Sequence, residues 1–241
     1  MTSSPASPRL GVLGGTFDPI HLAHLVLAQE AQWQLGLERV IFVPAGQPWR
    51  KEGRPIAAAE HRLAMLRLAL ADAPGLAISN LELDYPGPSY TVETLATLRQ
   101  EQEMEEDAEI FFIMGQDALY DLPNWREPER IIRLARLAVA GRSGRPQAQE
   151  GAGAQAGLAG GASDYVVRED LEAILPGLSR RVVEISMPLI DISATWLRER
   201  VRQGLPIRYF VPPAVAEYIQ RHRLYVDQNR LQNPLAPGLS S

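Results

Sequence analysis

Two histidines three residues apart, His21 and His24, follow a pair of glycines in the stretch Gly14–His24, "GGTFDPIHLAH". On a helix, residues at that spacing share a face, so both imidazoles point toward whatever lies above the glycines. Gly14 and Gly15 permit positive backbone angles and let a ligand approach the main chain closely. A helix starting here presents unpaired N–H groups and a partial positive charge, a setting that suits phosphate. Imidazole donors beside a phosphate meet the charge that develops when a phosphoryl group is transferred. Ala28 and Ala31 continue the same side with small groups, and are expected to leave room. A His-x-x-His zinc pair is the rival chemistry, but the adjacent Glu of His-Glu-x-x-His is missing, there is no cysteine, and only His61 and His222 remain. Two nucleotide motifs are absent as well. Gly11, Gly14 and Gly15 have the wrong spacing for Gly-x-Gly-x-x-Gly, and the only lysine, Lys51, follows Arg50 rather than opening a Gly-Lys-Ser/Thr loop.

A second anion cradle is written in Asp191–Arg200, "DISATWLRER". Ser193 is a good N-cap. Ser193 and Thr195 place two hydroxyls at a helix start, and Arg198, three residues beyond Thr195, brings a guanidinium fork to the same face. A bland reading of this segment alone is a capped helix with a solvated arginine.

The first stretch resembles the signature of the nucleotidyltransferase superfamily with a His-x-Gly-His motif, and within it the bacterial nicotinate-nucleotide adenylyltransferases. Ala23 stands where the family's glycine separates the histidines. Ile192, Ser193, Thr195 and Arg198 match the Ile-Ser-x-Thr-x-x-Arg motif of the same superfamily. The resemblance implies an ATP site built from Gly14, Gly15, Thr16, Phe17, His21, His24, Gly115, Asp117, Ile192, Ser193, Thr195 and Arg198. It implies that His21, His24 and Arg198 carry the catalysis, and that Mg2+ accompanies the triphosphate without a metal cage made by the protein.

Two further segments resemble the nicotinate-nucleotide enzymes specifically. "PGPSYTVETL", Pro86–Leu95, sets Ser89, Tyr90 and Thr91 at a helix start, where N–H groups and the Thr hydroxyl would receive the nicotinate carboxylate. "GQDALYDLPNW", Gly115–Trp125, carries the family's Gly-x-Asp in Gly115 and Asp117, and a Trp that would stack on the pyridine ring. Asp117 is alternatively a helix cap, and Trp125 alternatively core filler. Lys51, in the "PWRK" of Pro48–Lys51 with Arg50 in place of the family's His, and Arg142 complete the nicotinate-nucleotide contacts that the resemblance implies. The activity expected is transfer of the adenylyl group of ATP to nicotinate mononucleotide, yielding nicotinate adenine dinucleotide and pyrophosphate. The alternative acceptor is nicotinamide mononucleotide or another phosphorylated group. A non-catalytic nucleotide-binding regulator and a zinc hydrolase are the rivals from other classes.

These residues need a scaffold that gathers loop ends, and the apolar pattern supplies one. Short runs at Leu10–Leu13, Val40–Val43, Leu76–Ile78, Ile110–Met114, Leu137–Ala140 and Val182–Ile185 read as buried strands. Helical spacing fills His21–Leu35, Glu60–Ala71, Tyr90–Gln102, Glu129–Ala135 and Leu171–Leu175, with a further helix from Ser193. Strands and helices in alternation predict an α/β fold, a doubly wound parallel sheet covered on both faces. In such sheets ligands collect at the carboxyl ends of the strands, which is where Gly14–Gly15 and Gly115 fall.

The chain of 241 residues is expected to form one domain over residues 9–225, with flexible ends at 1–8 and 226–241. Gly141–Ser163, rich in Gly, Ala and Gln, is expected to be a surface loop. A net charge of −5 gives no basic stripe for nucleic acid, and no apolar stretch approaches the ~20 residues that span a bilayer. The absence of cysteine excludes thiolate chemistry and disulfides and fits a reducing cytoplasm, the expected compartment.

Overall fold

The six apolar runs become six parallel strands in one sheet, ordered β3-β2-β1-β4-β5-β6. They are β1 (Arg9–Gly15), β2 (Arg39–Pro44), β3 (Leu76–Ile78), β4 (Glu109–Gly115), β5 (Arg136–Ala140) and β6 (Val182–Ile185). The computed structural model describes residues 9–46, 56–101, 108–141 and 169–226. Of the expected flexible ends at 1–8 and 226–241, residues 1–8 and 227–241 lie outside the described residues, as do residues 142–163 of the expected loop.

Alternate residues of each strand feed two different cores, which is why the runs are apolar without a break. Leu10, Val12, Ile41, Val43, Ile110, Phe112, Met114, Leu137 and Val139 enter one core. Leu13, Val40, Phe42, Phe111, Ile113 and Ala138 enter the other. Helices α1 (Leu22–Leu35) and α2 (Ala59–Leu70) cover the second core; α3 (Leu81–Asp84) is a single turn, and α4 (Thr91–Glu101) covers the first. Along the rest of the chain, α5 (Gln116–Asp121), α6 (Pro128–Leu134) and α7 (Glu169–Ile174) add Leu119, Ile131 and Leu171 to the first core. Finally α8 (Ala194–Arg202) and α9 (Pro213–Arg221) add Leu197, Val215 and Ile219 to the second. The sheet is doubly wound, as expected.

Three expectations change. Ala28 and Ala31 are fully buried against the sheet rather than lining open space; their small side chains let α1 lie close to the strands. The positive backbone angle after β1 belongs to Phe17 (φ 49°), not to Gly14 or Gly15. Helix α9, opened by Pro213 with Val215 and Ile219 four residues apart on its buried side, was not among the helices read from spacing.

The strand order reverses between β1 and β4, so their carboxyl ends flank the crevice of the sheet. The register pairs Leu13 with Ile113, which brings Gly15 and Gly115 side by side at its rim.

Candidate active site

Gly14 and Gly115 are exposed at the tips of β1 and β4. A Cβ on Gly115 would meet nothing within 4 Å, and one on Gly14 would touch only the Phe112 ring at 3.6 Å. Backbone here is open to a ligand. Gly15 serves a different need. A Cβ on it would stand 3.0 Å from the Phe17 ring, which folds back beneath the turn and is 2% exposed. Thr16 contributes its carbonyl, which accepts from Arg62 Nη1 at 3.0 Å.

His21 caps α1 with extended backbone angles, and His24 is the third helical residue. The His21 N–H donates to His24 Nδ1 at 3.3 Å, and the two rings stack with centroids 3.7 Å apart. Their shared face, expected from the spacing, is therefore a direct contact. With Nδ1 accepting, the proton of a neutral His24 ring sits on Nε2. His21 is 5% exposed, and its Nδ1 is buried with no hydrogen-bond partner. A buried N–H without an acceptor is costly, so Nε2 carries the proton there as well. Burial lowers the His21 pKa from 6.5 to about 4. At neutral pH, His21 is a neutral donor and brings no charge.

The helix expected from Ser193 is present. Ser193 caps α8, its Oγ accepting from the Trp196 N–H at 3.2 Å. Ile192 packs on the core and Leu197 is fully buried, fixing the helix with Thr195 and Arg198 on one side. Arg198 Nη2 donates to Thr195 Oγ1 at 3.3 Å. Its Nη1 donates to the carbonyl of Asp18 at 2.7 Å and lies 3.6 Å from Asp18 Oδ2. Since Asp18 sits three residues before His21, this contact joins the two distant motifs.

Asp18 is itself a hub that the sequence reading left unassigned. Its carboxylate, 2% exposed, accepts from the Tyr225 hydroxyl at 2.7 Å and the Ala57 N–H at 3.3 Å. Arg62, equally buried, donates from Nε to the Ala57 carbonyl at 3.1 Å. Burial lowers the Arg62 pKa, and Asp18 opposes that shift. The Asp-Pro inside the first motif was the available signal. Nothing local marks Arg62 or Tyr225.

The residues expected to contact the acceptor lie on the face of the sheet that α4 covers, where Tyr90 and Trp125 pack on the first core. Tyr90 and Thr91 stand at the start of α4, and Ser89 Oγ accepts from the Gly46 N–H at 3.1 Å. Glu82 binds the same junction, accepting from Thr94 Oγ1 at 2.6 Å; burial raises its pKa. Glu82, Ser89, Tyr90 and Thr94 line a small cavity of about 80 Å³ between α3 and α4. The Arg126 guanidinium lies 4.5 Å from the centre of the Tyr90 ring and 3.2 Å from Glu93, which draws the Trp125 segment to the same place. Trp125 donates from Nε1 to Asp121 at 3.2 Å and stands edge-on to Phe112 at 6.0 Å. Phe112 thus touches both the Trp125 side and the Gly14 side of the crevice. Asp117 is exposed in the first turn of α5, whose cap is Gly115, so Asp117 is not the cap. Arg50, Lys51 and Arg142 lie outside the described residues.

Residues 12–200 match the family model described as cytidylyltransferase-like. A "probable nicotinate-nucleotide adenylyltransferase" of Thermomicrobium roseum is 45% identical over 235 residues, 96% of this chain and 98% of that protein. A protein of the same name from a Roseiflexus species is 45% identical over 225 residues, 93% of this chain and 100% of that protein. Among solved structures, the Plasmodium falciparum nicotinic acid mononucleotide adenylyltransferase complexed with NaAD superposes with a TM-score of 0.66 at 16% identity, covering 90% of this chain and 97% of that one. At that identity the superposition speaks for the fold alone.

Proposed function

Because the chain belongs to the nicotinate-nucleotide adenylyltransferases of the cytidylyltransferase-like family, we propose that it joins ATP to nicotinate mononucleotide in the biosynthesis of NAD. A 5′-phosphate oxygen of nicotinate mononucleotide forms a bond to the α-phosphorus of ATP. The bond from that phosphorus to the bridging oxygen breaks, and pyrophosphate leaves. The products are pyrophosphate and nicotinate adenine dinucleotide. The attacking phosphate is already an anion, so the protein need not remove a proton.

The observation that carries this reading is the Arg198–Asp18 contact, 2.7 Å long, which brings the guanidinium to the turn bearing His21 and His24. Catalysis then consists of alignment and of donors aimed at the phosphoryl oxygens. His21 offers a neutral N–H, His24 a second ring donor, and Arg198 the fixed positive charge. The capped start of α8, with Thr195, offers further donors to the triphosphate. Exposed glycine backbone at the tips of β1 and β4 lets the nucleotide lie close to the sheet.

Among the described residues no three His, Asp or Glu side chains gather as a metal cage. Mg2+ in this reading arrives as part of the substrate, on the phosphates of ATP, and no step is assigned to a protein-bound ion. Tyr90, Thr91 and Trp125 are the acceptor contacts. A nicotinate carboxylate suits the start of α4 better than a neutral amide does. No helix among the described residues is long and apolar enough to cross a membrane. The reading puts the reaction in the cytoplasm, on small-molecule substrates.

An acceptor panel tests the proposal. With ATP present, pyrophosphate release is expected with nicotinate mononucleotide and much more slowly with nicotinamide mononucleotide, phosphopantetheine or glycerol phosphate. Fastest release with any of the other three would refute the acceptor assignment, and release with none would refute the reaction.

A further inference from the structure

Tyr225 lies beyond the last helix and outside both phosphate motifs, yet its hydroxyl reaches into the turn between them. It donates to Asp18 Oδ1 at 2.7 Å across 207 positions of sequence. Burial first, and then Asp18, push its phenol pKa well above the usual value, so it remains a donor. Both partners are held in unfavourable backbone neighbourhoods. Tyr225 has φ 64° and Arg223 φ 50°, while Phe17, next to Asp18, has φ 49°. Side chains rarely tolerate the left-handed region, and bulky residues stay there only where the surroundings compel them.

The chain of contacts runs on from Asp18. Its other carboxylate oxygen faces Arg198 Nη1 at 3.6 Å, and its carbonyl accepts from the same nitrogen at 2.7 Å. Arg62 carries the opposite charge beside it and grips the Thr16 carbonyl at 3.0 Å. Asp18 and Arg62 are buried and Tyr225 is half-buried, and a buried carboxylate has little water to replace a lost hydrogen bond. A guanidinium anchored on one side keeps its remaining N–H groups in fixed directions.

We infer that Tyr225 is a positioning residue of the ATP site. Its hydroxyl fixes the Asp18 carboxylate, which orients Arg198 and the turn leading to His21. The segment after α9 therefore completes the triphosphate cradle without touching substrate. The inference rests on the adenylyl-transfer reading and adds to it a residue that neither phosphate motif contains.

Tyr225→Phe, made in the full chain, keeps the ring and removes the donor. Calorimetry with MgATP and no acceptor is expected to show about tenfold weaker binding. The kcat/KM for ATP should fall at least as far, with the KM for nicotinate mononucleotide within about threefold of wild type. A hydroxyl with a purely structural role would lower the melting temperature and leave MgATP affinity unchanged, and that result overturns the inference. Should Tyr225→Phe fail to fold, Asp18→Asn probes the same link, since it keeps an acceptor oxygen and removes the charge beside Arg198. Unchanged MgATP affinity in that variant is equally fatal. If wild type releases no pyrophosphate with any acceptor, the reaction reading fails. Unchanged affinity in an otherwise active Tyr225→Phe enzyme sinks the positioning role alone.

Discussion

The imidazoles of His21 and His24 stack 3.7 Å apart with 27° between their planes, and His24 also stands edge-on to Phe17 at 5.1 Å. Two rings this close act as one unit. The buried member is kept neutral, and the half-buried member has its Nδ1 occupied by the His21 N–H, which leaves Nε2 as its donor. Removing one preorganised donor to a developing oxyanion costs about 10² to 10³ in turnover. His24→Ala is therefore expected to reduce kcat by about a hundredfold or more. The lost edge contact with Phe17 should cost only about 1 kcal/mol of stability. Pyrophosphate release and thermal unfolding measured on the same preparation check this. Turnover within about threefold of wild type would leave His24 without its role.

The depressed pKa of His21 makes stability depend on pH with a definite sign. Between about pH 6.5 and pH 4 the unfolded chain takes up a proton at this position and the folded chain does not. Stability is therefore complete above pH 6.5 and falls as the pH drops through that window. From a shift of 6.5 to about 4 the total loss is roughly 3 kcal/mol at most. His21→Asn keeps a favourable N-cap and does not titrate. The variant should lose less stability than wild type on acidification from pH 7 to 4.5. Parallel melting-temperature curves for the two proteins would contradict the assignment.

Arg198 uses two nitrogens of its fork on different partners, Nη1 on Asp18 and Nη2 on Thr195. Lysine has the charge but not the planar geometry, and cannot span both while facing a phosphate. Arg198→Lys is expected to lower kcat/KM for ATP by about ten- to a hundredfold. The KM for the acceptor should stay close to wild type. If lysine serves as well as arginine, charge alone is used and the fork is incidental.

What could be read beforehand followed from local physics. Runs such as Ile110–Met114 announce a strand because both faces are buried, and Ser193 announces a helix start because a hydroxyl caps it. Glycines before a His-x-x-His mark a strand handing over to a helix. The buried polar hub was not legible in the same way. Arg62 sits in a helix whose sequence, "AEHRLAMLRLAL", gives no local reason for the arginine rather than His61 to turn inward. That choice is made by the Thr16 carbonyl and the Asp18 charge, which come from another part of the chain, with the Ala57 carbonyl just before the helix as a second acceptor. Tyr225 depends in the same way on a turn closed by residues with positive φ. Ala28 and Ala31 misled for a related reason, since a small side chain marks either open space or close packing and only the neighbouring sheet decides. Helix α9 does carry a signal, an opening proline and apolar residues four apart, but it spans only nine residues.

Trp125 has two roles open to it, as packing or as a stacking platform, and substitution separates them. Its indole N–H is held by Asp121 at 3.2 Å and its edge meets Phe112 at 6.0 Å, which would suit packing alone. The same anchoring would fix an aromatic platform beside Tyr90 and the start of α4. Trp125→Phe keeps an aromatic face and loses the N–H, whereas Trp125→Ala loses both face and packing. A base or pyridine ring stacked on an aromatic side chain gains about 1 to 3 kcal/mol. The KM for nicotinate mononucleotide should therefore rise about tenfold or more in Trp125→Ala and only about threefold in Trp125→Phe, with the KM for ATP steady in both. A platform predicts that split between the two substrates. Packing alone predicts lower melting temperatures with both Michaelis constants unmoved, and that pattern would return Trp125 to the core.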